Sequence, residues 1–195
     1  MVPNAILFSL KMGYLTVYNE FIRNRKNTKT HENKNKEDIE MALFSFKKKS
    51  KEEKLELLKK ENIRLNCSRM PKEEVIKAVG KMLVASGYVE EGYIDAMLKR
   101  ELTFATNVGN GIALPHGVEE AKKDIKYSGI AVMTFPEGTD WGGDDVKLVI
   151  GIAGVGEEHL TILGNIATKM ATPEDVDRLL NGTEDEVYEI LTGGN

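Results

Sequence analysis

The stretch Val146–Ala153, "VKLVIGIA", holds a single charged residue, Lys147, and from Leu148 onward neighbouring positions are apolar in succession rather than in alternation. Successive side chains of a strand point to opposite faces. This run therefore reads as a strand buried on both faces, hence a central one. Upstream, "YSGIAVMTF" (residues 127–135) reads as a second strand, and "FPEGTDWGGDD" (135–145) as a turn-rich loop between the two.

Helical periodicity surrounds these strands. After "MPKEE", Val75, Ile76, Val79, Met82 and Leu83 recur at helical spacing, with Pro71 at the entry and Ser86-Gly87 at the exit. Tyr93, Ile94, Met97 and Leu98 fit a second helix running to about Glu101. A polar turn, "TNVGNG", then precedes the short apolar run Ile112-Ala113-Leu114. Beyond the central strand, Leu160, Ile162, Leu163, Ile166 and Met170 predict an amphipathic helix with His159 in its first turn. Thr172-Pro173 predicts a further helix start, and Thr183-x-x-Glu186 a capping box for a terminal helix. Helices around a few strands give an α/β class with one sheet covered on both faces.

The 195 residues suit one domain with additional length, and a charged fraction of 30% is ordinary for a globular chain. Charge is uneven. Residues 23–60 carry 13 basic and 7 acidic side chains, a net +6, whereas residues 61–195 carry 13 and 23, a net −10. An acidic body disfavours nucleic acid as the main ligand and suits a basic protein partner. Residues 1–40 include the polar, low-complexity run "RNRKNTKTHENKNKEDIE" and read as a disordered extension outside the functional unit, Met41 offering an alternative start. Residues 41–54 read as a basic linker and 55–195 as the domain. No stretch is long and apolar enough to span a bilayer, the opening residues lack the pattern of a signal peptide, and a single cysteine, Cys67, fits a reducing cytoplasm.

The domain has two histidines, His116 in "NGIALPHG" and His159 after "GVGEE". Both follow strands, where ligands of α/β folds collect. A loop histidine is as readily a solvated or hydrogen-bonded structural residue, so residue types alone leave the two readings open. No third ligand has zinc spacing, no G-x-S-x-G marks a hydrolase and no Walker A sequence marks nucleotide-dependent transfer.

Two longer stretches narrow this. "MLKRELTFATNVGNGIALPHG" (97–117) and "LVIGIAGVGEEHLTILGNIAT" (148–168) closely resemble the enzyme IIA domain of the fructose–mannitol class of the bacterial sugar phosphotransferase system, from about Leu55 to the end of the chain. The "GIAGVGEEHL" form is most similar to the mannitol branch; Asn110, where that branch often carries Glu, is a departure toward the fructose-like form. The resemblance implies a single mixed β-sheet flanked by helices on both faces. It implies that His116 carries a phosphoryl group on Nε2, that His159 contacts that group and that Arg100 is a basic residue beside it. Thr106 and Asn110 fall in the loop bordering the site. The implied donor is the phosphocarrier HPr and the implied acceptor a cysteine of enzyme IIB, with no metal or other cofactor. A regulatory module acting through phosphorylation-dependent partner binding, or a scaffold with an inert His116, would be the competing functions.

Overall fold

The structure, a computed structural model, describes residues 55–193; the extension read at 1–40 and the linker read at 41–54 lie outside them. Among the described residues, the strands are β1 (Leu58–Arg64), β2 (Asn107–Gly109), β3 (Ile112–Ala113), β4 (Gly129–Asp140) and β5 (Asp145–Ala153). The α-helices are α1 (Lys72–Ala85), α2 (Tyr93–Thr103), α3 (Glu158–Lys169), α4 (Pro173–Asn181) and α5 (Glu184–Thr192), with a 3₁₀ turn at Glu119–Asp124. The strands form one mixed sheet in the order β1-β4-β5-β3-β2. β1 runs parallel to β4 and β3 parallel to β5, while β4–β5 and β2–β3 are antiparallel.

The doubly apolar run 146–153 does form the middle strand. Leu148, Ile150 and Ile152 face one core with Ile130 and Val132 of β4 and with α3, α4 and α5 through Ile162, Ile166, Val176, Leu179, Val187 and Leu191. Val149 and Ala153 face the other core with Ala131 and Met133, covered by Val75, Ile76, Val79 and Leu83 of α1 and Met97 of α2. Strand periodicity of two thus splits one continuous apolar run between two helical layers. Pro71, Ser86 and Gly87 flank α1 as expected, with Gly87 at φ +80°. The expected capping box of Thr183 with Glu186 forms, and Thr172, expected as the N-cap of α4, forms a second box with Asp175.

Four features differ from the sequence reading. β1 carries no strand pattern in the sequence, because Lys59, Lys60 and Glu61 break the alternation of this edge strand, whose pairing with β4 shifts register between Leu58 and Ile63. The polar turn 106–111 is a hairpin, with Asn110 (φ +53°) and Gly111 (φ +71°) in the left-handed region. Much of the expected loop 135–145 continues β4 to Asp140, the pairing with β5 shifting between Thr134 and Thr139. Leu160, placed on the apolar face of α3, is 52% exposed. It precedes the buried Ile162 by two residues, which at about 100° per residue turns it to the far side of the helix.

Gly151 lets α1 lie close on the sheet: a Cβ there would sit 2.9 Å from Val79 Cβ. Gly151→Val overpacks this contact, and the expected result is a loss of about 1–3 kcal/mol in urea unfolding at an unchanged slope.

Candidate functional site

The chain leaving β3 continues beside the carboxyl end of β5. Leu114 N–H donates to Thr106 O (3.0 Å), and Ile152 N–H donates to Pro115 O (2.8 Å). His116 thereby pairs with Ile152 as an isolated parallel bridge. Its Nδ1 lies 2.8 Å from the Leu114 carbonyl oxygen. A carbonyl only accepts, so this bond requires the proton on Nδ1 and leaves the Nε2 lone pair free. The far side of the loop is held by Tyr93, whose hydroxyl donates to Ile152 O and accepts from Gly117 N–H, each at 2.9 Å. Burial pushes the Tyr93 phenol up to about 12, so it keeps its proton at neutral pH.

His159 reaches the same place from α3. The helix start approaches the end of β5 because Gly154 has no side chain; a Cβ there would lie 2.5 Å from His159 Cα. The two imidazole rings stand 5.1 Å apart between centroids and are tilted by 55°. Burial lowers the pKa of His159 to about 4, with His116 and Lys122 adding to the effect. Burial also lowers that of His116; Arg100 acts in the same direction, while the Leu114 hydrogen bond and Glu101 oppose it. Both rings are therefore neutral at pH 7.

A cleft of about 210 Å³ opens on the pair, with Arg100, Lys122 and Glu119 in its lining. Arg100, in the last turn of α2, donates to Phe104 O at 2.6 Å. The structure thus brings Arg100, His116 and His159 together. Thr106 and Asn110 do not line the cleft. Thr106 is buried, and its hydroxyl donates to Glu101 Oε2 at 2.5 Å, so that hydroxyl is engaged within the protein. Asn110 is exposed at the tip of the β2–β3 turn, where its positive φ makes it a turn former. Sequence reasoning missed Tyr93, which reads as an ordinary core aromatic, and the ion pair Lys122–Glu119 at 2.6 Å, which resembles any surface pair three residues apart.

Two outcomes follow from this geometry. His159 binds its proton more weakly folded than unfolded, so it contributes no pH dependence above about 6.5 and destabilises the fold progressively as pH falls from there toward about 4. An NMR titration should show its ring neutral at pH 6, and an ordinary midpoint near 6.5 would contradict the burial argument. Gly154→Ala should push the start of α3 away from β5, read as a loss of nuclear Overhauser contacts between the two imidazoles.

Comparisons with known proteins bear on this cleft. Residues 56–193 match the family described as "Phosphoenolpyruvate-dependent sugar phosphotransferase system, EIIA 2". A relative from Bacillus subtilis (strain 168), named mannitol-specific phosphotransferase enzyme IIA component, is 47% identical over 133 residues, spanning 68% of this chain and 93% of the relative. One from Geobacillus stearothermophilus with the same name is 47% identical, spanning 71% and 97%. Among solved structures, the crystal structure of IIA mannitol from Escherichia coli is 38% identical with a TM-score of 0.63, covering 67% of this chain and 96% of that one. The complex of mannitol enzyme IIA with phosphorylated mannitol enzyme IIB from the same organism gives 37% and 0.66, covering 71% and 100%.

Proposed function

The chain belongs to the EIIA 2 family of the phosphoenolpyruvate-dependent sugar phosphotransferase system, and on that premise we propose that it is a mannitol-specific enzyme IIA component in which His116 accepts a phosphoryl group from phospho-HPr and passes it to a cysteine of enzyme IIB. The observation that carries this reading is the pair of neutral rings 5.1 Å apart, one of them bound through Nδ1 to a carbonyl. The mannitol assignment draws on the names of the relatives at 44–47% identity.

The chemistry follows from the geometry. Nε2 of His116 attacks phosphorus; the new N–P bond forms as the bond to the donor imidazole breaks, and the donor ring keeps that electron pair. The attacking His116 ring gains positive charge, which the Nδ1–H to Leu114 hydrogen bond disperses onto the carbonyl dipole. The transition state is loose, with charge on three equatorial oxygens. Arg100 offers a guanidinium cation with several N–H donors, and neutral His159 offers a ring N–H donor. In the second step the thiolate of enzyme IIB attacks the same phosphorus and the pair returns to Nε2. Both steps exchange one activated phosphoryl linkage for another, so neither needs a nucleotide. The sugar never enters this cleft; specificity for mannitol resides in which enzyme IIB docks over it. A thiolate acceptor needs a reducing compartment, which places the reaction in the cytoplasm. The reacting unit is residues 55–195, a boundary supported by the family match beginning at residue 56.

The test is incubation with phosphoenolpyruvate, enzyme I and HPr. Wild type should acquire an acid-labile, alkali-stable phosphate, and His116→Ala none; equal labelling of that variant overturns the reading. His159→Ala should still be labelled, with onward transfer to mannitol enzyme IIB slowed about 10²-fold. Undiminished transfer would remove His159 from the mechanism.

A further inference from the structure

We propose that Glu101 is a positioning residue for His116, acting through Thr106 and the Leu114 carbonyl. The proposal rests on the reading of His116 as the phosphoryl acceptor. Glu101 lies in the last turn of α2 with only 6% of its surface exposed, and Thr106 only 4%. One carboxylate oxygen, Oε2, accepts from both the backbone N–H of Thr106 (2.9 Å) and its hydroxyl (2.5 Å). Thr106 O in turn accepts from Leu114 N–H at 3.0 Å, and Leu114 O accepts from His116 Nδ1–H at 2.8 Å. A continuous path of hydrogen bonds therefore leads from a buried charge to the ring nitrogen whose protonation leaves Nε2 nucleophilic.

The buried carboxylate is more than a local helix-end contact. Its Oε1 is buried without a hydrogen bond, and Lys72 Nζ stands 3.4 Å away as its one ion-pair partner among the described residues. Burying a charge so incompletely satisfied is costly, and a neutral amide could accept from Thr106 more cheaply. What the charge adds is a strong, short, two-pronged acceptor that fixes both the position and the orientation of Thr106. Arg100 precedes Glu101 on the same turn of α2. Anchoring that turn to the segment leading to His116 sets the cation and the nucleophile from one reference point. A shift of about 1 Å between such groups costs on the order of 10²-fold in rate.

The experiment compares wild type with Glu101→Gln, Glu101→Ala and Thr106→Val. Leu179→Ala, in the core on the opposite face of the sheet, serves as a destabilised control. Two readouts are taken: the ¹⁵N shifts of the His116 ring in unphosphorylated protein, and kcat and KM for phosphorylation by phospho-HPr. Glu101→Ala and Thr106→Val should mix the His116 tautomers and lower kcat at least tenfold with KM within twofold. Glu101→Gln, which keeps an acceptor oxygen but not the charge, should lie between them and wild type. Leu179→Ala should lower the melting temperature while leaving the tautomer and kcat unchanged. Wild-type ring shifts and kcat in Glu101→Gln and Thr106→Val overturn the proposal, as does an equal loss of kcat in Leu179→Ala. If Glu101→Ala does not fold, the other two variants decide. If wild type takes no phosphate on His116, the functional reading fails; the ring shifts still decide whether Glu101 sets the tautomer.

Discussion

The hydrogen bond from Ile152 N–H to Pro115 O, 2.8 Å long, is the constraint on which the site depends. It carries the parallel pairing of β3 and β5 past the end of β3, so that His116 stands against the end of the most deeply buried strand of the sheet. Proline is tolerated at this ladder position because it is asked only for its carbonyl; its missing N–H is not required there. Its fixed φ also stiffens the backbone on the approach to the His116 ring. A nucleophile on a free loop would have to be ordered at each encounter with a partner. Here that ordering cost is met when the sheet folds.

With His116 read as the proposed phosphoryl acceptor, burial has two opposing effects on the site. It keeps both rings unprotonated, which the attacking ring requires and which leaves His159 as a donor rather than a competing cation. It also weakens the competition of water with the Nδ1–H bond, which acts the more strongly on developing charge. The opposing cost is that a buried ring resists the positive charge it gains on attack. The Leu114 carbonyl offsets that resistance, and it does so only while the backbone keeps it aimed at Nδ1.

How much of this was legible in the sequence varied with the physical origin of each feature. β5, α1 and the capped helices were readable because burial on two faces, helical periodicity and capping chemistry are local patterns. β1 was not, because its mix of Lys59, Lys60, Glu61 and the buried Asn62 owes its strand state to pairing with β4 rather than to alternation. His116 and His159 stood out as the domain's two histidines, each after a strand, yet residue types left their role open. Their 5.1 Å separation depends on two elements brought together through the sheet. The resemblance to a known family named Arg100, and the fold places it in the same cleft. It also drew attention to Thr106 and Asn110, which the structure accounts for as an anchor and a turn.

The unreadable part of the site is its supporting layer, and there is a physical reason for that. A reactive group must be a particular chemical type, so composition and spacing can advertise it. A positioning group need only reach the right neighbour. Tyr93 does so from the first turn of α2 and Glu101 from the last, each through backbone groups that every residue possesses. Helix α2 therefore holds the His116 segment at two places, at Gly117 through a phenol and at Thr106 through a carboxylate, roughly two turns apart on one rigid rod. Two fixed points on one element define both the position and the direction of the segment between them. That is why a loop of few side-chain contacts can hold the His116 ring in one tautomer, as the proposed transfer between two proteins requires.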